Sequence, residues 1–145
     1  MIVHSPLCRC ADLANELATR LGITSNADSR LKKIGFGHWE NRTGDDIRRE
    51  DVAAFRNFYH DPVNHQPDGA EPSRSFYLRV SQAWDEVSAR NDVERILLIA
   101  HSGVIRAIVI NILRAPLLAM YRMQTDSANM TAVKFSDGRP PTIPF

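Results

Sequence analysis

Cysteine is scarce in this chain of 145 residues: only Cys8 and Cys10 occur. Two thiols that close together cannot form the bridge framework that staples small secreted domains. They suit a reducing compartment, so cytoplasm is the expected location. Long apolar runs are also missing, and no stretch approaches the length that spans a bilayer. The opening Met1-Ile2-Val3-His4-Ser5-Pro6 lacks the basic and apolar regions of a signal peptide. Nor is there an excess of one charge. Lys and Arg total 18 against 17 Asp and Glu, a net +1, so neither nucleic acid nor an anionic membrane is an expected partner. Internal repeats and low-complexity linkers are absent. What remains, 43% hydrophobic and 24% charged, reads as one globular domain over residues 1–145.

Apolar periodicity lays out the elements. Ser5 and Pro6 form a helix-start signal. Leu13, Leu17 and Leu21 then recur every fourth residue up to Gly22, which predicts a helix from about Pro6 to Leu21. Ile23 to Trp39 reads as loop with short extended pieces. Asp45 to Tyr59 has the spacing of a charged amphipathic helix. His60 to Pro72, punctuated by Pro62, Pro67, Gly69 and Pro72, reads as a loop long enough to act as a lid. Ser73 to Ala89 predicts a strong helix that buries Phe76, Val80, Ala83, Trp84 and Val87. A strand over Ile96–Ala100, a buried helix over Val104–Leu113, a helical turn at Leu117–Met120 and a strand over Asn129–Phe135 follow. The proline-rich tail from Arg139 is expected to be extended or disordered. The pattern is that of an α/β protein with few strands.

The most informative stretch is Ile96-Leu97-Leu98-Ile99-Ala100-His101-Ser102-Gly103-Val104-Ile105-Arg106. A strand-length apolar run stops at a histidine, and a helix begins at once. Ligands of open α/β sheets bind beyond the carboxyl ends of strands. His101 falls at such an end, beside the free N–H groups of the next helix. A histidine there can shuttle protons or hold phosphate; it can also merely cap the turn.

Three segments, taken in order, resemble signatures of the histidine phosphatase superfamily, the phosphoglycerate-mutase-like proteins. They are Ser5-Pro6-Leu7-Cys8-Arg9, Phe36-Gly37-His38-Trp39-Glu40 and Ile99-Ala100-His101-Ser102-Gly103-Val104-Ile105-Arg106. Gly69-Ala70-Glu71 is similar to the Gly-Glu pair of many members. Within the superfamily the chain looks most like the α-ribazole phosphatase branch. The resemblance implies a phosphoglycerate-mutase-like three-layer α/β fold and a metal-independent, cofactor-free phosphomonoesterase. In that chemistry a neutral histidine attacks phosphorus and becomes phosphohistidine. Arginines and a second histidine stabilise the phosphoryl oxygens, and a carboxylic acid protonates the leaving oxygen. Carried over, Arg9 is a phosphate-pocket arginine, His101 the second pocket histidine with a catalytic role, and Ser102 a source of a backbone N–H. The implied partner is a small phosphorylated metabolite or inorganic phosphate.

The departures from that pattern are as telling. The family nucleophile stands in an Arg-His-Gly motif, and no such tripeptide occurs here. The motif ordinarily lies upstream of the Ser-Pro segment, so a first strand and helix of roughly 30 residues, about a βαβ unit, are expected to be missing. Such a strand would lie centrally, beside the one ending at His101. Without it Ile96–Ala100 is expected to show an open edge, which invites pairing with a second copy, a homodimer. Lys33 stands where the family has its acid glutamate. Ala70 and Pro72 are milder changes.

Other residues admit plainer readings. Glu40 reads as a structural anchor, Trp39 as core and His38 as a loop residue. His4 is a weak surrogate nucleophile. His60, Asp61 and His65 make a poor metal cluster at that spacing. Cys8, near a helix start, has scope for thiolate character, and Cys10 reads as packed inside. Three functions stay open: a phosphatase with weak or no activity as this chain, a non-catalytic binder of phosphate or a phosphometabolite, and a domain acting through partner contacts.

Overall fold

The structure, a computed structural model, describes residues 1–144. Three short parallel strands make the main sheet: β1 (Ile2–His4), β2 (Ser25–Ala27) and β3 (Leu97–Ile99). Their order is β2-β1-β3. The sheet brings His4 beside Ala27 on one side and Ile99 on the other. All three strands therefore point their carboxyl ends the same way.

Alternation along β1 separates the layers. Ile2 and Val3 are both buried and point to opposite faces. Helix α1 (Cys8–Leu21) packs on all three strands. Val3 joins a core with Phe76 and Val80 of α4 (Ser73–Ser88) and Val104, Ala107 and Ile108 of α5 (Ser102–Leu113). The result is a three-layer α/β arrangement, with the site-forming turns at the carboxyl end of the sheet.

Several elements differ from their sequence outlines. Helix α1 starts at Cys8 rather than Pro6, with Leu7 in extended geometry as its N-cap. The charged helix expected over Asp45–Tyr59 is two helices, α2 (Gly44–Glu50) and α3 (Val52–His60). Asp51 leaves helical backbone geometry and its side chain accepts from Ala54 N–H, capping α3. Asn129–Phe135 is not a strand of the main sheet. Strand β4 is Lys134–Ser136, paired antiparallel with β5 (Arg139–Thr142) in an outlying hairpin. Of the two states expected for the tail, Arg139–Thr142 takes the extended one, as half of that hairpin. Phe135 touches Trp84 of α4, ring centroids 5.9 Å apart. As expected, β3 has one open side: among the described residues it pairs with β1 alone, and Leu97 is 38% exposed.

Gly37 fixes a second region. Its φ of 51° is left-handed, and a Cβ there would fall 2.3 Å from the Asp68 carbonyl oxygen. The turn Gly37–Trp39 thus lies flush under the strap at Asp68–Ala70, with His38 N–H donating to Asp68 O (3.0 Å).

Candidate functional site

Two strand ends and two helix starts meet in one place. Ser5 follows β1 and is fully buried; its N–H donates to Ile99 O (3.0 Å). His101 follows β3, is 8% exposed and occupies the N-cap position of α5. Arg9 and Cys10 come from the first turn of α1.

The hydrogen bonds fix the state of His101. Arg9 Nε donates to His101 Nδ1 (3.2 Å). A guanidinium nitrogen can only donate, so Nδ1 is unprotonated. The ring proton then sits on Nε2, which donates to Ser5 Oγ (2.8 Å). Burial pushes the imidazole down to about 4, helped by the positive charges of Arg9 and Lys33. His101 is therefore neutral at physiological pH. Cys10 Sγ lies 3.7 Å from Nε2; burial pushes its thiol up, against the charge of Arg9. Buried Cys10 packs inside, and Cys8 faces solvent.

The Leu31–Glu40 segment carries its own polar cluster. Lys33 Nζ donates to both Glu40 oxygens (2.7 and 2.6 Å), and Phe36 N–H donates to Glu40 Oε1 (2.7 Å). These contacts hold the Glu40 carboxyl below the usual carboxylate range, the Lys33 hydrogen bond foremost. Glu40 thus anchors its turn. Behind it, Arg79 of α4 grips Glu71 in a fork (2.6 and 2.7 Å) and donates to the carbonyls of Lys32 (2.9 Å) and Lys33 (3.2 Å).

The chain brings Arg9 and His101, ninety-two residues apart, into contact. Ser102 opens α5 one residue on, exposed, and its N–H belongs to the first turn that a helix leaves unpaired. The Lys33 charge acts on His101, and the Arg9 charge on Glu40. Three of the four other histidines have partners elsewhere: His4 Nδ1 donates to the Ser5 carbonyl (2.9 Å), His38 faces Glu50 at 3.7 Å, and His65 Nδ1 donates to the Asp61 carbonyl (3.3 Å). Trp39 is half-buried and sits edge-on to Phe58, centroids 5.2 Å apart. Among the described residues no group of three His, Cys, Asp or Glu side chains is placed to hold a metal ion. A separate cavity of about 460 Å³, walled by His38, Trp39, Arg42 and Asn64, contains neither Arg9 nor His101.

Sequence reasoning missed two features. The Ser5 hydroxyl reads as a helix cap, while in space it serves His101. The Glu71–Arg79 fork carries no local signal beyond opposite charges eight residues apart.

Residues 1–143 match the family described as Histidine phosphatase superfamily (branch 1). The adenosylcobalamin/alpha-ribazole phosphatase of Salmonella typhimurium is 23% identical over 146 residues, covering 95% of this chain and 72% of that protein. The crystal structure of the alpha-ribazole phosphatase from Shigella flexneri superposes with a TM-score of 0.85 at 21% identity, over 99% of this chain and 71% of that one. A mycobacterial glucosyl-3-phosphoglycerate phosphatase in complex with inorganic phosphate does so with a TM-score of 0.83 at 22% identity, over 100% of this chain and 75% of that one.

Proposed function

The chain belongs to the histidine phosphatase superfamily, branch 1, and from that premise we propose that it recognises phosphate monoesters in the pocket of Arg9, His101 and Ser102. The observation that carries this reading is the Arg9–His101 contact at the ends of two adjacent strands. A guanidinium and the open N–H groups of a helix start favour a phosphoryl group. The Nε2 proton of neutral His101 is committed to Ser5 Oγ, and a dianion at Arg9 favours a second proton on Nδ1 against the burial that holds the ring neutral. In the reaction it stabilises charge on the phosphoryl oxygens. The relatives' names extend the reading to α-ribazole phosphate as the substrate.

Turnover by this chain is weak or nil. It holds no Arg-His-Gly nucleophile, and Lys33, where an acid is needed for the leaving oxygen, is committed to Glu40. Groups that act as one catalytic unit are not replaced by the remainder. That ion pair favours the second reading, a binder of phosphate or a phosphometabolite without hydrolysis.

Calorimetric titration with inorganic phosphate, alongside a phosphomonoester assay, tests both. We expect phosphate to bind wild type and not Arg9→Ala, with little product above background. Binding unaffected by Arg9→Ala would overturn the pocket assignment. Turnover abolished by His101→Ala would overturn the claim of weak activity.

A further inference from the structure

Arg106 is the single charged residue of α5. Its side chain leans back over the first turn of that helix, as long helical side chains do. Nε donates to the Ser102 carbonyl (3.2 Å) and Nη1 to the Met123 carbonyl (3.2 Å). A Cβ built on Gly103 would lie 4.0 Å from Nη2. The guanidinium is thus held against the backbone of Ser102 and Gly103. Of its five N–H groups, three have no partner among the described residues. No carboxylate pairs with it among those residues either.

This is an unfavourable place for a lone cation. The side chain is half-buried, and burial pulls the guanidinium below its ordinary value. The start of a helix is also the end that repels positive charge. Both effects are relieved when an anion lies at the first turn of α5.

We propose that Arg106 is a positioning residue for anion binding at Ser102, supplying an uncompensated charge that acts through the Ser102–Gly103 peptide. The proposal rests on the reading that Arg9, His101 and Ser102 receive the phosphoryl group. A cation on the Ser102 carbonyl polarises the peptide it belongs to. The Gly103 N–H of that same peptide, unpaired in the first turn, becomes a stronger donor. Only hydrogen bonds change on binding. The plainer role is a cross-link that docks the Leu117–Arg122 turn on α5. A cross-link needs the reach of the guanidinium, whereas the proposed role needs its charge.

Titration of the full chain with inorganic phosphate near neutral pH, with a thermal melt of each variant, separates the two. We expect Arg106→Gln to weaken binding roughly fivefold and Arg106→Lys to stay within about twofold of wild type. The lysine variant should still melt lower, because an ammonium cannot span both carbonyls. Tyr121→Phe removes the bond to Ser73 Oγ (2.7 Å) and loosens the same turn. It should lower the melt and leave phosphate affinity unchanged. In amide spectra the Gly103 resonance should shift on phosphate addition to wild type and to Arg106→Lys, and less in Arg106→Gln. If Arg106→Gln fails to fold, that shift decides, and its absence from wild type overturns the inference. Affinity lost in Arg9→Ala yet equal in Arg106→Gln and wild type overturns this inference alone. So does affinity that follows the melt through Arg106→Lys and Tyr121→Phe. Binding indifferent to Arg9→Ala overturns the pocket reading and this inference with it.

Discussion

Ser5 Oγ and His101 Nε2 are ninety-six residues apart in the chain and 2.8 Å apart in space. The contact ties the end of β1 to the end of β3 and gives the imidazole proton a fixed acceptor. Ser5→Ala leaves a buried N–H without a partner, which costs about 1 to 3 kcal/mol. Chemical denaturation should show a lower midpoint with an unchanged slope. An unchanged midpoint would mean that His101 finds another acceptor at no cost.

The depressed His101 makes stability depend on pH. Its ordinary value is 6.5 and its folded value about 4, so below 6.5 the unfolded chain binds the proton more readily. The stability contributed by the neutral ring is complete above pH 6.5 and is lost as pH falls through 4, a change on the order of 2 kcal/mol. Denaturation midpoints of wild type and His101→Gln, compared across that window, should converge at the acid end. A bound phosphate dianion opposes the depression. Calorimetry below neutral pH, in buffers of different ionisation enthalpy, should therefore record proton uptake on binding.

Arg79 holds the backbone of the segment that carries Lys33. Its fork satisfies Glu71, and its remaining donors reach three carbonyls. Arg79→Ala is expected to cost about 2 kcal/mol or more, since it strands a half-buried carboxylate and those carbonyls. Arg79→Lys should recover little of it, because an ammonium cannot reproduce the planar fork. A melt in which the lysine variant matches wild type would refute this.

Gly37→Ala places a methyl group against the Asp68–Ala70 backbone at a left-handed φ. The expected loss is on the order of 2 kcal/mol or more. Limited proteolysis should then cut within His60–Pro72 sooner than in wild type.

The open side of β3 leads us to expect that the chain pairs with a second copy. Leu97, Leu98 and Ile99 carry no charge to discourage it. Light scattering behind size exclusion should show a dimer that Leu98→Lys returns to monomer. A wild-type monomer at high concentration would exclude this.

The sequence revealed most where side-chain period and function coincide. The apolar period of α4 and α5, and the histidine ending an apolar run, announce buried helices and a strand end. His101 was legible in that way; Arg9 was legible only through the resemblance of Ser5-Pro6-Leu7-Cys8-Arg9 to a family signature. What stayed hidden depends on distant partners. Strand β2, Ser25-Asn26-Ala27, has no apolar pattern of its own and is a strand because β1 pairs with it. The break at Asp51 follows from a single side chain capping the next helix. Glu40 could be read as an anchor, but that Lys33 is what it anchors requires the turn at Gly37 to be folded.

The contact between Trp84 and Phe135 gives the molecule a spectroscopic asymmetry. Only two indoles are present, Trp39 and Trp84. One lies edge-on to Phe58 near the α3 side, and the other carries the outlying hairpin. Detachment of that hairpin changes the emission of one fluorophore and leaves the other in place. With Trp39→Phe and Trp84→Phe variants, the same chain can report fraying at its periphery and melting around α3 as two separate optical signals.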